Sequence, residues 1–165
     1  MEFICNANFK GEFQKLDLHE LHNRIPNSTL HRKPFQLVIK DLHGTLILFS
    51  NGKFRIMGCI GELDALFLAC SYIENLPDLP TMTLQSYTAK CILGFRVNLE
   101  KMSADIASVY EPELFSALRL KAYKPLSVNL FTTGKVMICG LKDVEETHSI
   151  VAHLKEICQP YIIRL

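Results

Sequence analysis

Cysteine and histidine are the residue types in this sequence best suited to metal binding or nucleophilic catalysis, but their spacing supports neither role. No two cysteines form a C-x-x-C pair, and none stands at a ligand-like spacing from a histidine. His19 and His22 lie three residues apart on a predicted short helix, yet no cysteine or carboxylate completes a metal site. The sequence therefore predicts no metal and no cofactor. The residues expected to be reduced, small core side chains are Cys5, Cys59, Cys70, Cys91, Cys139 and Cys158.

The sequence also lacks the usual signatures of an enzyme. It contains no glycine-rich phosphate loop, no nucleophile elbow and no paired carboxylates in a recognisable catalytic setting. We therefore predict a binding protein with no catalytic residues.

Length and composition indicate one ordinary globular domain. The chain has 165 residues, 48% of them hydrophobic, and a formal charge of +1. A chain of this size buries about 70% of its unfolded surface, and the composition excludes an intrinsically disordered protein. The near-zero charge gives no electrostatic indication of a nucleic-acid or membrane partner, and no apolar run reaches the ~18 residues of a membrane-spanning helix. Glu2, Asn6 and Asn8 argue against a signal peptide, so secretion is not expected.

A repeated pattern is the strongest indication of how the chain is organised. The segments LILFSNGKFRIMGC (46–59) and VNLFTTGKVMICGL (128–141) share an alternating apolar run ending in Phe, a short polar step, Gly-Lys and a second alternating run. Equivalent residues, such as Phe49 and Phe131, are 82 positions apart. Alternation on both sides of a short glycine-containing turn predicts a β-hairpin in each copy.

Each copy predicts the same order of elements: a strand, a short helix, several antiparallel strands and a long helix. The short helices are predicted in LDLHELHN and VNLEKMSADIAS. The long helices are predicted from apolar spacing at Leu63, Leu66, Phe67, Cys70 and Ile73, and at Val144, His148, Val151, Leu154 and Cys158. Repeat one covers about residues 1–76 of a single domain, a joint about 77–82, and repeat two about 83–165.

Two such units predict an α+β fold, in which one curved antiparallel sheet carries helices on one face and leaves the other face open. Alternation assigns Leu46, Leu48, Phe54, Ile56, Leu130, Val136 and Ile138 to the helix-covered face. It assigns Ile47, Phe49, Lys53, Arg55, Met57, Asn129, Phe131, Lys135, Met137 and Cys139 to the open face. An exposed apolar surface rimmed with lysine usually marks a binding site.

The same residues resemble a known family. YEPELF (110–115), then Lys124-Pro125, NLF, a turn, GK and a strand ending in CG are similar to the second repeat of the TATA-box-binding protein family. LQSYTAKCILGFRVNLEKM (84–102) resembles the first strand and helix of that repeat, and LDL (16–18), KPF (33–35) and LFSNGK (48–53) resemble the first repeat. The resemblance covers nearly the whole chain, and YEPELF is its most specific part. It implies a saddle whose concave sheet binds and bends DNA from the minor groove.

The resemblance also implies roles for particular residues. The residues that would intercalate between base steps are Phe35, Phe49, Phe115 and Phe131. Those that would face the minor groove are Ile47, Arg55, Met57, Ser86, Thr88, Asn129, Met137 and Cys139, with Asn6 and Asn8 as candidates from alternation alone. Phosphate contacts would come from Lys33, Lys53, Lys121 and Lys135. Glu111 and Glu113 match the acidic loop to which the family binds transcription factor IIB.

Several positions depart from the family pattern. Met57 and Cys139 stand where threonine is usual, and Asp41 stands where a phosphate-contacting arginine is expected. The first long helix is strongly basic in the family, but here it contains Glu62, Asp64 and Glu74 without lysine or arginine. Loss of these cations should weaken nonspecific attraction to DNA and its salt dependence.

The leading hypothesis is a transcription initiation factor that bends A·T-rich promoter DNA and recruits a transcription factor IIB-like partner and the RNA polymerase machinery. The main alternative is a protein-interaction subunit or regulator with the same fold that has lost autonomous DNA binding. A remote third is an accessory domain of a nuclease or glycosylase. The resemblance implies a nuclear location, with a cytoplasmic viral replication site left open. No membrane partner is expected, and self-association without DNA would cover the apolar face.

Overall fold

The alternating apolar segments form ten β-strands and four α-helices in the residues that the computed structural model describes, which are 4–74, 76 and 79–164. The strands are β1 (Ile4–Glu12), β2 (Ser28–Arg32), β3 (Phe35–Asp41), β4 (Gly44–Leu48), β5 (Lys53–Cys59), β6 (Thr81–Ile92), β7 (Ser108–Glu111), β8 (Phe115–Leu120), β9 (Ser127–Leu130) and β10 (Lys135–Leu141). The helices are α1 (Leu18–Arg24), α2 (Glu62–Ser71), α3 (Leu99–Asp105) and α4 (Glu146–Ile157). Single 3₁₀ turns cover Lys121–Tyr123 and Gln159–Tyr161.

The chain divides into two compact units. The first unit is Asn6–Ser86, and the second contains residues 4–5 and 87–164. The predicted joint at about 77–82 lies partly outside the described residues, since 77 and 78 are not among them, and β6 already begins at Thr81. Strand β6 contributes its first residues to the first unit and the remainder to the second.

In the first unit the strand order is β2-β3-β4-β5-β1-β6. The predicted hairpin is confirmed, because β4 and β5 pair antiparallel, with Leu46 opposite Ile56 and Leu48 opposite Phe54. Its turn is closed by two backbone hydrogen bonds: the N–H of Phe49 donates to the carbonyl of Lys53, and that of Gly52 to the carbonyl of Phe49, each at 3.0 Å.

The second unit repeats this construction with the strand order β6-β10-β9-β8-β7. Leu130 pairs with Val136 across the β9–β10 hairpin. The N–H of Phe131 donates to the carbonyl of Lys135, and that of Gly134 to the carbonyl of Phe131, each at 2.9 Å. The two GK hairpins therefore share the same turn geometry.

The short helices form where the sequence predicts them, and each begins with a side-chain cap. The Asp17 carboxylate accepts from the backbone N–H groups of His19 and Glu20, both at 3.1 Å. The Asn98 side chain accepts from the N–H of Lys101 at 3.0 Å. These caps satisfy N–H groups that the first turn of a helix leaves unpaired.

One face of each set of strands packs under the helices, as alternation predicts. Leu46, Leu48, Phe54 and Ile56 are buried in the first unit, where α2 contacts β4 and β5. In the second unit Leu130, Val136 and Ile138 share a core with residues of α4. Burial of such aliphatic side chains contributes about 1.5–3 kcal/mol each.

Both long helices form where the spacing predicts them, but the residues that mark the spacing do not all lie on the buried faces. Helix α2 buries Ala65, Leu68 and Ala69, whereas Leu63 and Phe67 face solvent. Apolar residues occur around most of α2, so periodicity alone does not select a face, and the small alanines allow close packing on the strands. Helix α4 buries Val151 and Leu154 as predicted, but Thr147 and Ile150 are buried in place of His148.

The cysteines are all free, and three of them, Cys59, Cys91 and Cys158, are buried core residues. The other three are half-buried. Within residues 4–74, 76 and 79–164, no group of three or more His, Cys, Asp or Glu side chains is arranged to hold a metal ion. The helices in this part of the chain include none long and apolar enough to cross a membrane.

Candidate nucleic-acid interface

In the first unit, the side of the strands opposite α2 carries the residues predicted for a binding surface; we call this side of each unit its open face. Ile47 and Arg55 are cross-strand partners there, and Met57 lies opposite Thr45. Arg55 and Met57 are exposed. Lys10 of β1 pairs with Arg55, which adds a cation that the sequence analysis missed. Alternation along β1 from Asn8 is the signal that points to Lys10.

Phe49 lines a groove on this unit. The groove has a volume of about 570 Å³ and is also lined by Lys10, Glu12, Lys53 and Arg55. An aromatic ring with three cations beside it provides an apolar contact and positive charge in one place. Glu12 is the acidic member of the lining and pairs with Lys53 across the strands.

Two polar residues that the sequence analysis predicts to face the DNA minor groove, Asn8 and Ser86, contact each other in the first unit. The Asn8 Nδ2 group donates to Ser86 Oγ at 3.5 Å, and the Asn8 Oδ1 atom accepts from the N–H of Gly58 at 3.2 Å. Gly58 lies where the β1–β5 register shifts by one residue. The bulge therefore fixes the orientation of the Asn8 amide.

The strand pairing also determines the register of β1. Ala7 pairs with Cys59 and Phe9 with Ile56, whereas Tyr87 pairs with Leu141 and Ala89 with Ile138. Since Cys59 and Leu141 are equivalent residues of the repeat, as are Ile56 and Ile138, Asn8 corresponds to Thr88 and Asn6 to Ser86. The prediction that Asn6 and Asn8 share the open side of β1 fits this pairing.

The second unit presents its own open face. Thr88 pairs with Cys139, and Met137 pairs with both Lys90 and Asn129. Asn129 lies on the predicted side but is only 5% exposed. The Arg119 Nε–H donates to Asn129 Oδ1 at 3.4 Å, and Asn129 Nδ2 donates to Ser127 Oγ at 3.2 Å. Asn129 thus positions neighbouring groups instead of offering a free amide.

Arg119 and Lys90 are exposed cations on this face that the sequence analysis missed. Their positions alternate with buried residues of β8 and β6, so period-2 alternation is the signal that identifies them. Both residues lie outside the two GK hairpins and outside the positions that the family resemblance identifies.

Phe115 and Phe131 come together at one end of the second unit. Their ring centroids are 6.0 Å apart with planes at 71°, and Phe115 is exposed. The Lys135 ammonium lies 6.0 Å from the centre of the Phe131 ring, within the range of a cation–π interaction. The two rings are therefore close together beside a cation, with Phe115 exposed and Phe131 half-buried; their intercalation into DNA stays a prediction.

Phe35 does not occupy the corresponding place in the first unit. It shares its side of β3 with the buried Leu37 and Ile39, and its ring lies beside that of His19 in α1, with centroids 5.6 Å apart. Phe35 is 39% exposed, so its role in DNA intercalation stays a prediction, but its ring does not lie on the open-face side of β3. The reason is the tight turn between β3 and β4, which places Leu37 opposite Leu48. This register puts Gln36 next to Phe49.

The four predicted phosphate-contacting lysines are all exposed but are not gathered in one place. Lys53 lines the groove beside Phe49, and Lys135 lies near Phe131. Lys121 lines a separate groove of about 670 Å³ together with Arg119 and Lys124. Lys33 lies in the turn before β3 and lines neither groove.

The acidic loop also lies at the surface of the second unit. Glu111 and Glu113 are exposed around the turn between β7 and β8, where the N–H of Leu114 donates to the carbonyl of Glu111 at 2.9 Å. They are separated by Pro112 and followed by an exposed Leu114. Two carboxylates beside an apolar side chain suit contact with another protein.

Asp41, the residue that replaces an expected arginine, has a structural role. Its carboxylate accepts from the N–H of His43 and from the hydroxyl of Tyr72, both at 2.7 Å.

Burial raises the pKa of the Tyr72 hydroxyl, and the Asp41 contact raises it further, while the hydrogen bond with Asn27 lowers it. Burial, reinforced by Asp64 and Asp41, raises the pKa of the Cys59 thiol to about 11.

Comparison with known proteins agrees with the geometry of the two units. Residues 81–161 match the family model described as transcription factor TFIID, or TATA-binding protein. The TATA-box-binding protein of Methanococcus vannielii is 32% identical over 133 residues, which are 73% of this chain and 74% of that protein. That of Sulfurisphaera tokodaii is 31% identical, over 84% of this chain and 76% of that protein.

Two further comparisons concern length and fold. The mouse TATA box-binding protein-like 2 is 28% identical over 89% of this chain, but the chain spans only 46% of that protein. The solved TBP of Methanococcus jannaschii superposes with a TM-score of 0.68 over 97% of this chain and 99% of that one, at 23% identity. The predicted fold class, an antiparallel α+β fold of this type, is thereby confirmed.

Proposed function

Because the chain belongs to the TATA-box-binding protein family, we propose that it is a transcription initiation factor that binds A·T-rich promoter DNA through the minor groove. The observation that carries this proposal is the pair of rings formed by the exposed Phe115 and the half-buried Phe131, with the Lys135 ammonium beside it. Phe115 begins β8, Phe131 directly follows β9 and Lys135 begins β10, so the exposed Phe115 ring, the open part of the Phe131 ring and the exposed cation can meet one ligand together.

A phenylalanine pair of this kind acts as a wedge. Separating two stacked base pairs costs about a few kcal/mol, a magnitude known in general from minor-groove proteins, of which the TATA-box-binding proteins are themselves the reference example. An apolar ring that fills the opened step recovers part of that cost, and the kink widens the groove. In the first unit Phe49 takes the wedge position, with Lys10, Lys53 and Arg55 placed to reach the adjacent backbone.

Preference for A·T pairs follows from the open-face residues. The minor groove of A·T pairs offers only acceptors, whereas G·C pairs add a protruding amino group. In the first unit the Ser86 hydroxyl, which contacts Asn8, lies on the same unit as the apolar Ile47 and Met57, and in the second unit the Thr88 hydroxyl accompanies Met137 and Cys139. In each unit the hydroxyl supplies a donor, and the amino group of guanine would contact the apolar side chains unfavourably. The surface therefore favours A·T-rich sequence without a unique base code.

The proposal extends to partners and location. Glu111 and Glu113 form the contact for a transcription factor IIB-like protein, which in turn brings the RNA polymerase machinery to the promoter. Matched relatives come from animals, such as mouse and Bombyx mori, as well as from archaea. We place the protein in the nucleus of a eukaryotic host, and a cytoplasmic viral replication site is the alternative location.

A second candidate function is a protein-interaction subunit or regulator of transcription that does not bind DNA on its own. Three observations favour it: Phe35 is turned toward His19, the net charge is only +1, and α2 carries no cation. In that case the open faces serve assembly, and DNA is engaged only together with a basic partner.

A bending assay separates the two candidates. An A·T-rich duplex with a fluorophore at each end is titrated with the chain at low salt, and binding is followed in parallel by gel shift. If the wild type increases energy transfer between the two fluorophores and Phe131→Ala does not, the result supports the function of an initiation factor that bends DNA. Absence of any shift without a transcription factor IIB-like protein, and its appearance when that protein is added, supports the second candidate. No shift in either condition contradicts promoter binding, and a G·C-rich duplex of equal length is the control.

A further inference from the structure

Helix α2 presents apolar side chains to solvent that the core of the first unit does not use. Leu63 is 84% exposed and Phe67 is 56% exposed. The same helix already buries Ala65, Leu68 and Ala69 against β4 and β5. Since residues four apart share one face of a helix, Leu63 and Phe67 form a continuous apolar strip.

Two neighbouring segments extend this strip. The His43 ring packs on Phe67 with centroids 4.6 Å apart, and the Cys59 thiol donates to the carbonyl of His43 at 3.1 Å. The residues adjacent to His43 and Cys59 in the chain, Leu42 and Ile60, are almost fully exposed. We call Leu42, Ile60, Leu63 and Phe67 the α2 patch. Contiguous exposed apolar surface is typical of an interaction site.

The α2 patch is held in place before any partner arrives. His43 Nδ1 lies 3.3 Å from Asp64 Oδ1, and the backbone N–H of His43 donates to Asp41 at 2.7 Å. These contacts fix the β3–β4 turn against α2. A preorganised surface loses little conformational freedom on binding, which lowers the cost of association.

The charge around the α2 patch has one sign. Between Arg55 and Lys90 the sequence contains no lysine or arginine, whereas Glu62, Asp64 and Glu74 fall within that stretch. Lys40 and Arg55, the nearest cations along the chain, pair with Thr45 and Ile47 at open-face positions of their strands. Arg24 is already paired with Glu74 at 3.3 Å. Glu62 and Asp64, which flank Leu63 in the first turn of α2, therefore form an acidic border beside the apolar strip.

We propose that the α2 patch is a docking site for a basic amphipathic helix of a partner protein, with apolar residues on one face and lysine or arginine along its edges. Such a segment fills the apolar strip and pairs with Glu62 and Asp64. A second copy of this chain is the wrong occupant, because a symmetric contact would bring Glu62 and Asp64 against their own copies. The acidic border likewise opposes nucleic acid. The inference concerns a surface separate from the open face and does not depend on DNA binding.

The test uses the whole chain and a designed probe, a fluorescein-labelled helical peptide with leucine at i, i+3, i+4 and i+7 and lysine at the flanking positions. Two control peptides keep the composition with scrambled leucine spacing, or keep the leucines with glutamate in place of lysine. Fluorescence anisotropy gives the dissociation constants. Leu63→Ser and Phe67→Ser are compared with Leu79→Ser, which changes an exposed leucine outside the patch.

We expect the lysine peptide to bind and neither control peptide to do so. Leu63→Ser or Phe67→Ser should raise the dissociation constant of the lysine peptide roughly tenfold or more, as for central residues of an interface. Leu79→Ser should bind as the wild type does. The double variant Glu62→Lys/Asp64→Lys should lose the lysine peptide and gain the glutamate peptide. Circular dichroism checks that each variant is folded.

Three results would overturn the inference. The first is a scrambled peptide that binds as tightly as the lysine peptide. The second is a folded Leu63→Ser variant that binds the lysine peptide with unchanged affinity. The third is a wild-type dimer in sedimentation that Leu63→Ser converts to a monomer, which would make a second copy of the chain the occupant. None of these results depends on promoter binding, so the inference and the proposed function succeed or fail separately.

Discussion

Phe115 and Phe131 meet edge to face with centroids 6.0 Å apart, whereas Phe35, which the sequence pairs with Phe49, lies 5.6 Å from His19. The two units thus differ in a feature that their sequences suggest is shared. The second unit therefore carries an aromatic pair, whereas in the first unit Phe49 lines a groove without Phe35 among the lining residues.

The aromatic rings give the first prediction. Phe131→Ala should weaken affinity for an A·T-rich duplex roughly tenfold or more and reduce bending, because a wedge that no longer fills the opened step recovers none of the unstacking cost. Phe35→Ala is the matched control and should change affinity less than about threefold. Gel shift and energy transfer measure both. An equal loss in Phe35→Ala would show that its ring reaches DNA after all.

Salt dependence gives the second prediction. Lys135→Gln and Lys53→Gln should each lower the slope of log affinity against log salt by about 1, because each removes one phosphate contact. Lys101→Gln changes an exposed lysine of α3, away from the open face, and should leave the slope unchanged. Anisotropy titrations at several salt concentrations provide the slopes. A slope that Lys101→Gln lowers as much as Lys135→Gln would indicate nonspecific attraction only.

The hairpin turn of the second unit gives the third prediction. Gly134 has φ +81°, and a Cβ added there would collide with the carbonyl oxygen of Phe95. Gly134→Ala should lower the free energy of unfolding by roughly 2 kcal/mol or more, since strain and collision act together. At Gly61, the N-cap of α2, an added Cβ has no atom within 4 Å, so Gly61→Ala should cost about 1 kcal/mol or less, from the poorer cap alone. Urea unfolding compares the two, and similar midpoints would contradict this account of the turn.

Stability at alkaline pH gives the fourth prediction. Burial raises the pKa of the Cys158 thiol from its ordinary value of 9.0 to about 11. The thiol therefore ionises first in the unfolded chain, so its contribution to stability is complete below pH about 9 and is lost as the pH rises toward 11. The loss is on the order of 1 kcal/mol per pH unit at most.

Cys158→Ala should make the unfolding free energy less dependent on pH in this window, and urea unfolding at several pH values measures it. Val151→Ala is the control, since it removes buried volume from the same core without removing a titrating group. A pH slope identical in Cys158→Ala and the wild type would show that other groups carry the alkaline loss.

Much of the fold can be read from period-2 alternation, because each hairpin has one buried and one open face. Leu46, Leu48, Leu130 and Val136 are buried as that pattern predicts. The buried side of α2 could not be predicted in the same way, since apolar residues surround most of that helix. Only packing against β4 and β5 selects Ala65 and Leu68 over Leu63.

Family resemblance predicts residue types well and register less well. The resemblance identifies Phe115 and Phe131 in the second unit, because YEPELF (110–115) is its most specific part. At Phe35 the two units differ in register, because the β3–β4 turn, with Asp41 opposite Gly44, is tighter than the β8–β9 connection. One shift in register reverses which side of a strand a residue occupies. The hydrogen bond that engages the Asn129 amide comes from Arg119, a neighbour on another strand that no local pattern reveals.

The cation-free stretch between Arg55 and Lys90 has a practical consequence for mapping complexes. Reagents that link lysine amines have no target there, so a protein bound over Leu63 and Phe67 would leave no amine cross-link at its own docking site. Reagents that couple to carboxylates would form cross-links at Glu62 and Asp64 and so locate the bound protein. Trypsin would then release the whole stretch as one peptide that ends at Lys90.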